Sequence, residues 1–302
     1  MLVALALFAC TKDDTTDDSS TGELSRFEQE IFVEQTPVTE SGTSLDTCHT
    51  PGQDWPTQTP DASCQVEVSM SGTVLDFQDD VPVEEATTEF WWDNTYVEGS
   101  ADQTVVSDES GDISGVAPTC TPYTYSTYTD PALEETVLTI QAHNVMPPGE
   151  SVEDDPNSVS TTTYQLIPGL LGVAVEPGKA VVAGTVYGCE REGDAVEYAQ
   201  VIARTKGGDY LEDQDVFYFV DDFPDRNQEW TSADGLWIIA NVPESELTIE
   251  VWTWDGSEHQ LRATTDLTII PDSINIANAY VGFEGGVVYP EECLSSCAAV
   301  EE

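Results

Sequence analysis

Three short blocks of this chain occur twice and in the same order, and that repetition limits the fold more than any other feature. Met70-Ser-Gly-Thr-Val74 matches Val182-Ala-Gly-Thr-Val186, and Ala86-Thr-Thr-Glu-Phe90 matches the strand that begins at Ala199. The run from Ser107 to Pro118 then matches the run from Ser232 to Pro243. The chain is rich in Thr, Val and aromatics, residues that suit a pleated, half-buried surface. Within 231–256, Asp234-Gly235 is a turn signal. Beyond it Leu247, Ile249 and Val251 fall on one face of a strand, while Thr248, Glu250, Trp252 and Trp254 fall on the other. A chain of 302 residues has room for about two ordinary domains, and the pattern predicts two copies of one all-strand module with little helix.

The order of these blocks, Gly-Thr-Val, an Ala-led strand, a Ser/Thr-x-Asp-Gly turn, an apolar strand and Val-Pro before a further alternating strand, resembles the carboxypeptidase regulatory-like domain. That resemblance implies an all-β chain with two transthyretin-like, immunoglobulin-like β-sandwich domains behind a disordered acidic N-terminal tether. The first copy is placed at 65–145 and the second at 179–285, separated by a linker at 146–178 and followed by an acidic, Cys-containing tail at 286–302. In the first copy Ser110-Gly111 replaces Asp-Gly, and Cys120 stands near a position the family usually gives to glycine. Within the linker, 158–171 is expected to form a short helix capped by Asn157 or Ser158. In the family this module stiffens, spaces, or binds glycans and partner proteins, and it lacks the zinc peptidase domain; fold alone does not carry an activity.

The N-terminus bears on location. Leu2 to Ala9 is apolar but far shorter than the roughly 20 residues that cross a bilayer as a helix. Leu7-Phe8-Ala9-Cys10 resembles the bacterial lipoprotein signal, which implies a signal peptide over 1–10 and a lipid on Cys10. The polar, Asp-rich stretch that follows, within a lead-in at 11–64, suits a solvated tether. The expected location is therefore the cell envelope, lipid-anchored, at the outer membrane and facing the surface or the periplasm. With 58 acidic against 8 basic residues and a formal charge of −50, the chain repels phosphate backbones. Nucleic acid is excluded as a partner; the membrane, through the anchor, and an envelope protein or polysaccharide are the partners expected.

Beyond Cys10 six cysteines remain, Cys48, Cys64, Cys120, Cys189, Cys293 and Cys297. In an exported chain an even number favours disulfides, and the pairings expected are Cys48 with Cys64 and Cys189 with one of the C-terminal two. No catalytic motif is present: the phosphate-loop, zinc-helix, dinucleotide and nucleophile-elbow patterns all fail. Adjacent acids are uninformative among so many, and a hydrolase ranks third among the functions considered. Asp221, Asp222, Asp225, Asn227 and Glu229 concentrate oxygen ligands of the kind calcium takes, against the plainer reading of a solvated acidic loop; no other cofactor is expected. Trp252 and Trp254, placed outward by alternation, and Trp91 with Trp92 in the first copy, are the candidate glycan platform, against the plainer reading that these rings pack between domains. The reading reached is a non-enzymatic envelope lipoprotein with a structural or adhesive role, with a carbohydrate-binding module using the Trp face as the alternative.

Overall fold

The computed structural model describes residues 52–297, apart from 131, 133, 134, 190–193, 212–214, 221 and 222. The signal segment, Cys10, the acidic tether and Cys48 lie outside the described residues. The fold is all-β, with strands β1 (Glu67–Thr73), β2 (Leu75–Asp76), β3 (Thr87–Trp91), β4 (Gln103–Val106), β5 (Asp112–Pro118), β6 (Pro122–Tyr128), β7 (Thr136–Val145), β8 (Ser151–Glu153) and β9 (Asn157–Ser160) in the first half. A helix, α1 (Thr161–Leu170), follows. The second half holds β10 (Lys179–Tyr187), β11 (Gln200–Thr205), β12 (Val216–Val220), β13 (Phe223–Asp225), β14 (Leu236–Pro243), β15 (Glu246–Trp254), β16 (His259–Thr268), β17 (Ser273–Ile276) and β18 (Ala279–Tyr280).

The two halves repeat one wiring. In the first, a sheet ordered β5-β1-β8 faces β7-β6-β3-β4 across a core that includes Met70, Phe90, Ile113 and Tyr125. In the second, β14-β10-β17 faces β11-β15-β16 across a core that includes Val182, Val201, Trp237 and Ile249. Thus β1, β5 and β8 correspond to β10, β14 and β17, and β3, β6 and β7 correspond to β11, β15 and β16. The copies differ at one strand. The segment after β3 pairs back on β3 as β4, whereas the segment after β11 crosses to the other sheet and pairs with β14 as β12.

The repeat holds hydrogen bond by hydrogen bond. Val74 N–H donates to the Gly111 carbonyl at 2.9 Å, and Val186 N–H to that of Gly235 at 3.0 Å. Both glycines are left-handed, at φ 80° and 68°, which only glycine adopts without cost. Gly72 and Gly184, the glycines of the two Gly-Thr-Val blocks, lie where a Cβ would stand 1.6 Å from the Asp154 carbonyl oxygen and 2.0 Å from that of Ala277. Those positions are glycine because the chain leading out of β8 or β17 crosses against them.

One strand belongs to both halves. β17 pairs in parallel with β10 on one side and with β7 on the other, Ile274 standing opposite Val181 and Thr139. A single large sheet therefore runs from β13 to β4 through both sandwiches. The linker is structured rather than open: it supplies β8, β9 and α1. The helix is present as the sequence predicts, but its cap is Ser160, whose hydroxyl accepts from Thr163 N–H at 3.2 Å, because Asn157 and Ser158 are taken into β9. Its inner side, with Tyr164 and Ile167, packs on Val181, Ile238 and Ile274, covering the outer side of the large sheet.

Candidate functional site

The alternation read along β15 is realised. Leu247, Ile249 and Val251 are wholly buried in the second core, and the other face of the β11-β15-β16 sheet carries Thr248, Glu250, Trp252 and Trp254. The register brings Gln200 of β11 opposite Trp252 and Ile202 opposite Glu250, and on the far side His259 opposite Trp254. Arg204 and Glu250 form an ion pair, Nε to Oε1 at 2.7 Å. The Trp252 indole N–H donates to the other carboxylate oxygen of Glu250 at 3.0 Å, and the Arg204 guanidinium lies 4.1 Å over the Tyr210 ring while donating to its hydroxyl. Further along, Thr248 donates to Asp266 at 2.6 Å, and Lys206 pairs with Asp266 at 3.1 Å. Trp254 stands half-buried with its ring centre 4.9 Å from that of His259, inclined by 58°.

This face is therefore a braced aromatic strip. Trp252 is half-buried and held at its polar edge by a carboxylate that is itself 7 % exposed and neutralised by Arg204. Two of the eight basic residues of the chain, Arg204 and Lys206, are spent on it. A rigid indole with a satisfied N–H offers apolar area at little entropic cost, the property that makes Trp useful at contact surfaces. Alternation along β15 could have placed Glu250 beside the tryptophans; Arg204 and Tyr210 needed the pairing of β11 with β15, which the sequence does not declare.

The other candidates fare differently. Trp91 is 2 % exposed, packs 4.7 Å from Tyr96, and donates its N–H inward to the Val97 carbonyl at 3.1 Å; it offers no open ring. Trp92 stacks on Phe90 at 5.1 Å against the first core. In the acidic loop, Asp221 and Asp222 lie outside the described residues. Asp225 closes an Asx turn, accepting from Asn227 N–H at 2.8 Å and from its side-chain amide at 3.1 Å, and Glu229 is exposed. Among the described residues no cluster of acids, histidines or cysteines has metal-holding geometry.

The disulfides correct the expected pairings. Cys64 bonds Cys297, and Cys120 bonds Cys293. Cys64 is thereby unavailable to Cys48, and both C-terminal cysteines are unavailable to Cys189, which is itself disulfide-bonded. The reason is topological. The tail returns to the start of the first sandwich, where Asp61 N–H donates to the Cys293 carbonyl at 2.8 Å, and no local spacing announces that return.

A second feature lies on the opposite side of the second sandwich. Between α1 and the outer side of the large sheet is a cavity of about 290 Å³.

No family model and no curated protein matches the chain. Solved structures that overlay on it include the Bacillus anthracis TIE protein, at 13% identity and a TM-score of 0.24 over 72% of this chain and 34% of that one. A streptococcal ancillary pilin overlays at 12% identity and a TM-score of 0.23, over 71% of this chain and 62% of that one. The shaft pilin SpaA of Lactobacillus rhamnosus GG overlays at 7% identity and a TM-score of 0.22, over 72% and 98%. The chain spans about a third of the first of these proteins and under two thirds of the second, and overlays of this depth carry no argument about role.

Proposed function

We propose that this protein is a non-enzymatic envelope lipoprotein, held by lipid on Cys10, whose role is structural or adhesive and whose contact surface is the strip of Trp252 and Trp254. One observation carries the reading: two half-buried indoles stand two residues apart on the outer face of β15, the first held by the Glu250–Arg204 pair. Apolar groups gathered into one patch on an outer face, unlike singly scattered ones, mark contact surfaces. The partner is an envelope protein or a polysaccharide; a flat row of rings suits the stacking of sugar faces, and this favours the carbohydrate-binding form of the reading as the alternative.

The double change Trp252→Ala with Trp254→Ala tests it. Retention on immobilised envelope polysaccharide or envelope protein is expected to fall at least about 10-fold, a loss of roughly 1.4 kcal/mol, with the melting temperature unchanged. A lower melting temperature with retention intact would show that the rings only pack. The same polysaccharide panel, assayed for turnover, tests the hydrolase reading, and the mass of the mature N-terminus tests acylation of Cys10.

A further inference from the structure

We propose that the cavity under α1 is a binding site for a neutral, ring-shaped polyol, such as a single sugar residue at a chain end. This site is independent of the Trp strip, since it opens on the other face of the second sandwich.

The walls of the cavity select the ligand by chemistry. Its volume is about 290 Å³, near the lower end of the roughly 300–1,000 Å³ typical of small-molecule sites. Space is left beneath the helix because β10 presents the small side chains of Ala183 and Thr185 on this side. One wall is amide-rich, formed by Gln141, Asn144, Asn157 and Asn278. Gln141 donates to Asn144 at 2.7 Å and accepts from the Tyr125 hydroxyl at 2.8 Å, so this wall is fixed before any ligand arrives. Asn278 accepts from Thr185 N–H at 3.1 Å, which orients its amide and leaves the NH2 to donate. The rest of the lining is largely apolar and includes Tyr187 and Tyr280, stacked at 5.4 Å.

Charge narrows the class further. The lining holds no Lys, Arg or His, so an anion finds no counter-charge, and the charge of −50 repels it from outside. The one carboxylate in the lining, Asp154, already accepts from the Tyr123 hydroxyl at 2.8 Å. What fits is a molecule whose polar groups both donate and accept, as hydroxyls do, and which keeps one face of C–H for the apolar wall. A sugar ring has both properties. A purely aliphatic ligand would give the Asn278 NH2 no acceptor, a costly arrangement once water is displaced.

Saturation-transfer NMR on the full chain with glucose and N-acetylglucosamine, and with glucuronate as the charged control, tests this. Transfer is expected to the neutral sugars and not to glucuronate. Asn278→Asp keeps the acceptor for Thr185 N–H and removes the donor; Ala183→Leu fills the floor. Each is expected to weaken binding about 10-fold, while the Trp252→Ala, Trp254→Ala protein binds as before. Absence of transfer from both neutral sugars, transfer that survives both cavity variants, or preferential uptake of an aliphatic alcohol would each overturn the proposal. If Ala183→Leu fails to fold, Asn278→Asp decides alone, its fold checked by an unchanged melting temperature.

Discussion

His143 shows how much one side chain can carry between two modules. It is half-buried in β7 with a left-handed backbone at φ 66°, its Nδ1 facing the Asn94 amide nitrogen at 2.9 Å and its Nε2 facing the carbonyl of Asp266 in β16. Asn94 is held the other way round by its oxygen, which accepts from the His143 N–H at 2.8 Å and from the Thr124 hydroxyl at 3.1 Å. Nδ1 must therefore accept and Nε2 donate, which fixes the neutral tautomer. Burial is the main cause that holds the imidazole below its ordinary pKa of 6.5, against the Asp266 carbonyl and carboxylate, which favour the proton, while Lys206 disfavours it. Below pH 6.5 the unfolded chain binds this proton and the folded one resists it, so stability falls as pH drops from 6.5 until the folded pKa is passed. Urea unfolding at pH 7.5 and at pH just below 6 should show that loss, and His143→Gln should lack it while costing about 1–3 kcal/mol at pH 7.5 for its unmade buried hydrogen bonds; an identical slope in the variant would assign the effect to carboxylates. Gly184 makes a different single-residue statement. Its Cβ would meet a backbone oxygen at 2.0 Å, so Gly184→Ala should cost about 3 kcal/mol or more in chemical denaturation, against a few tenths at an open surface site.

At the scale of elements, the same brace is built twice from different residues. The Ser107 hydroxyl donates to the Val83 carbonyl at 2.6 Å and accepts from Ala86 N–H at 2.9 Å. Thr231 does the same to Val196 at 2.6 Å and from Ala199 at 2.9 Å. Both hydroxyls sit where a loop enters a core strand, and Thr231→Val, which preserves shape but strands the Ala199 N–H, should lower stability by about 1–3 kcal/mol; a change under a few tenths in the unfolding midpoint would deny the brace a role. The correspondence of Ser107 with Thr231 shows what was legible and what was not. Read without gaps, the two blocks align at Pro118 and Pro243, which pairs Ser107 with Ser232. The structure keeps the prolines together but shifts the other end by one residue, because β14 bulges against β10 between Ala180 and Val182 with Asn241 left-handed at φ 61°. The extra residue moves the inward set from Trp237 and Ile239 on to Val242, but every position from Leu236 to Ala240 is apolar, so alternation could not reveal it. Strand order within each copy and the outward side of β15 were readable because they follow from local period and turn chemistry. The insertion of β17 between β10 and β7, the ion pair beneath Trp252 and the cavity under α1 were not, since each depends on which distant strands pair.

For the whole molecule, the decisive feature is where the two closures fall. Cys64–Cys297 spans 233 residues of sequence and Cys120–Cys293 spans 173, the second nested inside the first. Around them Cys64, Cys120, Val145 and Cys293 form a small buried cluster with Tyr289, and the Tyr289 N–H reaches back to Gln58 at 2.8 Å. The entry to the first sandwich and the exit from the second are thus one knot. Closing a loop of this size removes unfolded-state entropy worth about 5 kcal/mol in the chain-entropy model, though nested loops share part of that gain. The mechanical consequence is larger. A load applied between position 58, just before Cys64, and the C-terminus passes through Cys64–Cys297 and bypasses the chain that this bridge encloses. Single-molecule pulling between those two points should therefore show no sandwich-unfolding extension while the protein is oxidised. After reduction of every disulfide, the 233 enclosed residues should release about 800 Å of added contour, at roughly 3.4 Å per residue. Equal extension in the oxidised and reduced proteins would mean that the closures do not carry the load.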